Sequence, residues 1–246
     1  VVVTYKAGTG VQNFANKEVL VKKGTKEADL PEKPNATVDT AAGYKGDVIW
    51  TAKPAIDGTA GIQADTEVTA TAAKKTTAEQ VTENGGIEGK DLAAWVGDTL
   101  DADFWKKGAA LADTVQDADG KLAALLAGAT VTDKSNRTTD AKGTYPGTLT
   151  VTFEDKSTLE VDQKLFVYDK KGEVPTDPTQ PTPKDAVVVT YEKGDGVSEL
   201  KGTGKTLVKS GETLEAGDFP TAVVDTAKGY KEPATWTPED KVVTEQ

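Results

Sequence analysis

The sequence predicts a mainly β protein with minor α content, built as an elongated array of small domains of two alternating types. Three observations carry this. The opening stretch Val1-Val2-Val3-Thr4-Tyr5 returns at Val187–Tyr191, an offset of 186 residues. Segments that alternate apolar with polar residues recur along the chain, with the period of two that half-buried strands require. A polar, proline-bearing stretch, Gly172–Asp185, separates the second copy from what precedes it.

The repeat sets the domain organisation. Val38-Asp39-Thr40-Ala41-Ala42-Gly43-Tyr44-Lys45 returns as Val224-Asp225-Thr226-Ala227-Lys228-Gly229-Tyr230-Lys231, and Trp50-Thr51 as Trp236-Thr237, all in one register. Leu20-Val21-Lys22 returns one residue out of it, as Leu207-Val208-Lys209. Drift followed by recovery indicates loop insertions between fixed strands. The expected organisation is a first repeat over residues 1–75, an inserted domain over 76–171, a Pro/Thr-rich linker over 172–186 and a truncated second repeat over 187–246.

In the first repeat, Val1–Tyr5 and Lys17–Lys23 read as strands joined through a turn at Gly8-Thr9-Gly10. Pro31 and Pro34 keep Leu30–Asn35 out of a central strand. Thr37–Ala42 predicts a single helical turn stopped by Gly43, and Tyr44–Thr51 and Glu67–Ala72 predict half-buried strands. Trp50 and Trp236 share one repeat position beside a strand, which favours core packing over stacking on a sugar. The second repeat stops at Gln246, before any counterpart of Glu67–Ala72, so an exposed sheet edge and reduced stability are expected there.

The insert begins with a junction, Ala73–Gly86, that is either short or partly helical, and Asp91–Val96 is open between strand and short helix. Leu100–Gly108 predicts a short helix capped by Asp101 and stopped by Gly108. Leu122, Leu125 and Leu126 line one face of a helix over Lys121–Gly128. Leu149, Val151 and Phe153 alternate with threonines, a turn follows at Glu154–Ser157, and Leu159, Val161, Leu165 and Val167 alternate again. That pattern predicts an antiparallel hairpin with one buried face. The linker carries Pro175, Pro178, Pro181 and Pro183 and is expected to act as a semi-rigid polyproline spacer.

Composition narrows the function classes. A net charge of −11 repels phosphate backbones and anionic membrane surfaces, which argues against nucleic acid and membrane partners. No apolar run approaches the ~18 residues of a membrane span. There is no Cys and no His, which rules out disulfides, thiolate chemistry and Cys/His zinc sites. Only carboxylates, Lys, Tyr or Ser could serve an enzyme, and no glycine-rich phosphate cradle follows a strand, so no enzymatic step and no cofactor are expected. Asp117-Ala118-Asp119-Gly120 hints at a calcium loop. An EF-hand register, however, would put its first ligand at Val115 and its bidentate Glu at Leu126, so solvated charge is the better reading and no metal is expected. The candidate binding residues are aromatic: Trp105, Phe166 and Tyr168. Phe166 and Tyr168 fall on the strand face opposite Leu165 and Val167, where Gly108–Thr130 either covers them or leaves them exposed as a patch beside Trp105.

Particular residues also carry family resemblances. The Val3-Thr4-Tyr5 strand, Lys22-Lys23-Gly24-Thr25, Gly43-Tyr44-Lys45, Trp50 and Ala64–Ala70 resemble the β-grasp-like repeats of Gram-positive surface proteins, such as listerial internalin B-repeats and streptococcal SHIRT repeats. In the insert, Gly97-Asp98-Thr99, Asp103-Phe104 and Gly143–Ser157 resemble Rib/alpha-like surface antigen domains. Their hairpin usually turns on Asp-Gly; here Lys156 stands where that Gly would be, and Gly108–Thr130 is longer than the family pattern. The resemblance implies an Ig-like β domain used as a spacer, with no catalytic residues to carry over. It also implies an extracellular setting on the cell wall of a Gram-positive bacterium. The expected role is a monomeric stalk whose partners are neighbouring repeats and which projects a distal binding domain towards a host protein or glycan. The alternative is that the central domain binds such a ligand itself. No signal peptide opens the sequence, which fits a stretch from inside a longer secreted chain.

Overall fold

The computed structural model describes residues 1–115, 117–237 and 243. The chain divides into two compact units, Val1–Glu83 and Asn84–Gln246, and is mainly β with short helices.

The first unit contains β1 (Val2–Ala7), β2 (Val11–Gln12), β3 (Lys17–Leu20), β4 (Thr37–Val38), β5 (Tyr44–Lys53), β6 (Thr66–Lys74) and α1 (Thr77–Glu83). Four strands form one mixed sheet in the order β3-β1-β6-β5; β1 and β6 run parallel at its centre, and the outer pairs are antiparallel. Alternation along the central strands puts Val3, Tyr5, Val68 and Ala70 on the buried face, where Ile62 joins them. Trp50 packs at the margin of this core, edge-to-face on Tyr5 at 5.9 Å between ring centroids and against Phe14. The proline-bearing loop closes over the same rings. Pro31 takes a long hydrogen bond from the Tyr5 hydroxyl, and the Lys33 ammonium sits 5.7 Å from the Trp50 ring centre.

Two local expectations change. Val11 pairs with Val38, so Thr37–Val38 is extended and the helical turn expected over Thr37–Ala42 shrinks to Asp39–Gly43. Local capping holds the turn that remains: the Asp39 carboxylate accepts from the Ala42 N–H, and Gly43, at φ 85°, donates to Thr40. In the second repeat this turn closes into a short 3₁₀ helix, Thr226–Lys228, between Asp225 and Gly229. The Gly-Tyr pairing of both repeats is also explained. The Tyr44 ring lies on Gly10, where a Cβ would come within 2.3 Å of it, and Tyr230 lies on Gly196 with the same clearance. The junction after β6 is helical. Thr76 and Glu79 form a reciprocal capping box, and Lys45 of β5 pairs with Glu79, tying α1 to the first unit.

The second unit opens with β7 (Ile87–Gly89), β8 (Leu92–Trp95), α2 (Ala102–Lys106), β9 (Ala109–Leu111), α3 (Lys121–Gly128) and β10 (Thr130–Asp133). It continues through β11 (Gly143–Thr152), β12 (Thr158–Tyr168) and β13 (Lys171–Gly172). The second repeat supplies β14 (Ala186–Thr190), β15 (Val197–Lys201), β16 (Lys205–Lys209) and β17 (Thr221–Val224). The central sheet runs β10-β11-β12-β8, with β8 parallel to β12. Leu92, Val131, Leu149, Val151, Val161, Leu165 and Val167 are buried on its inner face. α2 begins where expected, with the Asp101 carboxylate accepting from the Phe104 N–H, and Gly108 ends the turn against Leu149. Asp117 of the calcium-like stretch caps α3, its carboxylate accepting from the Leu122 and Ala123 N–H groups at 3.0 and 2.8 Å.

The second repeat rebuilds the first around the matching Tyr and Trp, with Phe219 standing where the first repeat has Leu30. Tyr191, Phe219 and Trp236 pack on one another at 5.4 to 5.9 Å. Gly211 and Glu212 bond to Val243 as Gly24 and Thr25 bond to Ile62. β14 pairs with β16 on one side; among the described residues no strand lies on its other edge, the side on which β1 holds β6.

The β11–β12 hairpin turns with Lys156 at φ 66°, donating its N–H to Phe153. A left-handed Lys is strained where Gly is not. Lys156→Gly is therefore expected to raise stability by about 0.5–1 kcal/mol, read as a higher urea midpoint at unchanged slope.

Candidate functional site

The sheet separates the three aromatic residues nominated from sequence. Trp105, 7% exposed, is carried on α2 at the inner side, while Phe166 and Tyr168 lie half-buried on the other face with Ala93 and Trp95 of β8.

Trp105 belongs to a buried charged cluster. The Arg137 guanidinium stacks over its ring at 5.0 Å and pairs with Asp133 at 2.9 Å, and both charged side chains are at most 5% exposed. Arg137 also donates to the Tyr145 and Gln163 carbonyls, so one side chain ties β10, β11 and β12 together. Gly147 leaves room for it, since a Cβ there would meet the guanidinium carbon at 2.8 Å. Burial pushes the Asp133 carboxyl up, but hydrogen bonds from Arg137 and Ser135 outweigh it and hold the group below its usual range. The open cleft of about 460 Å³ alongside is lined by Leu100, Asp101, Trp105, Asn136 and this ion pair. The Asp101, Asp133 and Arg137 side chains on its wall are already bonded within the fold.

On the opposite face, Tyr168 and Trp95 meet edge-on at 6.3 Å. The linker bonds to both of these rings. The Tyr168 hydroxyl donates to the Pro181 carbonyl at 2.9 Å and accepts from the Gln180 amide, and burial raises its pKa while the Gln180 bond opposes that shift. Trp95 is 1% exposed, and its indole N–H donates to the Asp185 carboxylate at 2.6 Å.

The contacts then pass into the second repeat. Lys209 lies 3.0 Å from Asp98 and 3.8 Å from Asp185, and its backbone N–H donates to Lys170. β13 adds to the edge of β16, pairing Lys171 with Val208 and Gly172 with Leu207. The Lys171 ammonium pairs with Asp218 at 2.7 Å. That hydrogen bond holds the Lys171 pKa above its usual value; on Asp218, burial acts upward but bonds from Glu215 and Lys171 win and lower it. The joint is therefore built from a Trp–Asp bond, a strand extension and four ion pairs, the fourth between Lys170 and Glu212 at 3.7 Å. Sequence reasoning missed it because its partners lie far apart in the chain. The available signal was Asp98 within Gly97-Asp98-Thr99, a conspicuous acidic turn next to Trp95.

Among the described residues no group of three or more acidic side chains could hold a metal, and no helix is long and apolar enough to cross a membrane.

No protein-family model matches the chain, and no curated protein does. Two solved structures show a slight likeness. A Rib structure from Streptococcus pyogenes shares 21% identity over 34% of this chain and 91% of that one, at a TM-score of 0.25. The structure of CBM51-2 in complex with GlcNAc and INT domains from Clostridium perfringens ZmpB shares 18% identity over 56% of this chain, at a TM-score of 0.23. This chain spans only 26% of the Clostridium protein's length. Neither likeness assigns a role to a residue here.

Arg137→Ala is expected to cost about 3–5 kcal/mol in urea unfolding, because it strands the buried Asp133 carboxylate. Replacing both partners with Leu and Met should cost far less.

The joint should be pH-dependent at both extremes. The depressed Asp218 contributes above about pH 4 and loses its contribution as pH falls through its folded value. The raised Lys171 contributes below about pH 10 and loses its contribution as pH rises through its folded value. The stability difference between the parent and Lys171→Met should therefore hold a plateau from about pH 4 to about pH 10 and shrink outside it, measured by urea midpoints across pH.

Proposed function

We propose that the chain is a spacer segment of a bacterial cell-surface adhesin, carrying out no chemical step and holding a distal binding domain away from the cell wall. In this reading it is extracellular, anchored to a Gram-positive wall through the rest of its chain, and monomeric along this stretch. Residues 1–75 and 187–246 are β-grasp-like repeats, and 76–171 is a Rib-like domain between them.

The observation that carries the reading is the joint. A load-bearing or standoff segment needs each domain to hold its neighbour at a fixed angle, because free hinges let an array fold back on itself. Here the proline-bearing linker is bonded along its length, through Gln180, Pro181 and Asp185, to the domain before it. The Asp185 carbonyl then accepts from Ser210 of the repeat after it. Prolines limit the conformations the linker samples when free, so fixing it costs less entropy than fixing a Gly/Ser chain. The high acidic charge suits the role by keeping neighbouring chains apart.

Small-angle scattering tests the proposal. A compact body of this length would have a radius of gyration of about 18 Å. The spacer reading expects about 30–35 Å, independent of concentration. A value near 18 Å would sink it.

A further inference from the structure

The two repeats carry the same three residues in two different environments. In the second repeat, Leu207 is 1% exposed and Val208 is fully buried, while Lys209 sits half-buried between Asp98 and Asp185. In the first, Leu20 is 81% exposed, Val21 is half-buried and Lys22 is exposed. Alternation accounts for one face only. Val21 and Val208 point into their own cores, so Leu20 and Leu207 point out of them. The central domain delivers β13 to the outer edge of β16, with Gly172 opposite Leu207. On β3, the counterpart of β16, that edge pairs with nothing among the described residues. An outward-facing leucine on an open strand edge is also what a sheet avoids unless something covers it.

We infer that the Leu20–Lys22 edge of the first repeat is a docking surface for a second module of the central type, seated as Asn84–Gly172 is seated on β16. Three contacts of the existing joint have their place on the first repeat. A Lys171-Gly172-like pair would extend the sheet along β3 opposite Leu20, as it now does opposite Leu207. A carboxylate in the position of Asp98 would receive the Lys22 ammonium, as Asp98 now receives Lys209. A carbonyl in the position of Lys170 would accept the Lys22 N–H, as Lys170 accepts that of Lys209. The partner is thus defined by chemistry as a strand edge with a glycine, flanked by one acidic turn. The inference rests on the array reading above and deepens it, since it makes the joint a recurring connector.

The test uses the full chain and a longer one in which residues 84–186 are placed directly ahead of Val1, the position they hold ahead of Val187. Amide hydrogen exchange at Lys22 and Lys209 is followed residue by residue. In the present chain, Lys209 should exchange slowly and Lys22 at least tenfold faster. In the longer chain Lys22 should slow to match Lys209, and Leu20→Asp should restore fast exchange there without disturbing Lys209. Fast exchange at Lys22 in the longer chain, with Lys209 still protected, would overturn the proposal. So would concentration-dependent protection of Lys22 in the present chain, because the occupant would then be a second copy of this surface. Scattering on the longer chain separates this failure from failure of the spacer reading: a chain still extended, but unprotected at Lys22, is a spacer without this connector.

Discussion

The Trp95 indole cannot be buried without a partner for its N–H, and that requirement organises the second unit. Leaving such a donor unpaired away from water costs about 1–3 kcal/mol. The partner it finds is Asp185, ninety residues away in sequence. Once Asp185 is fixed, the linker between Tyr168 and Ala186 has little freedom left. Tyr168 and Gln180 anchor its middle, and the Asp185 backbone accepts from Ser210 at its end. The second repeat therefore starts from a defined position, and Lys209 completes the arrangement by meeting both Asp98 and Asp185.

The two faces of the central sheet are thus used differently. On β12 the residues Val161, Leu165 and Val167 are buried in the core, and Tyr168 on the other face bonds to the linker. An aromatic patch in sequence looks like a ligand site, because exposed rings are costly unless something binds them. One of these rings, Tyr168, is bonded by the linker of the same chain. The other nominated ring, Trp105, is used differently again: it lies under the one arginine of the sequence, whose guanidinium holds three strands in register.

What could be read in advance follows from interaction range. Period-two alternation is a local property, so the β11–β12 hairpin and the strands around Tyr5 and Val68 were legible, as was the helix capped by Asp101. The ambiguous Asp91–Val96 became a strand because β12 offered an unpaired parallel edge to Leu92–Trp95, which no local rule contains. The turn after Val38 shortened for a similar reason, Val11 claiming Val38 for a strand pair. The linker was legible as proline-rich and therefore extended, but its role depends on Trp95 and Tyr168, and a polyproline stretch reads the same whether it is bonded or free.

The repeats make the same point within one molecule. Leu-Val-Lys occurs in both, yet its leucine is open to solvent in one copy and sealed in the other. Only the second copy has a strand from another domain along that edge among the described residues. A residue that is costly when exposed and stabilising when covered cannot be explained by its own domain, because that domain folds around Val21 and Tyr5 without it. In the second repeat the matching edge carries a paired strand, β13.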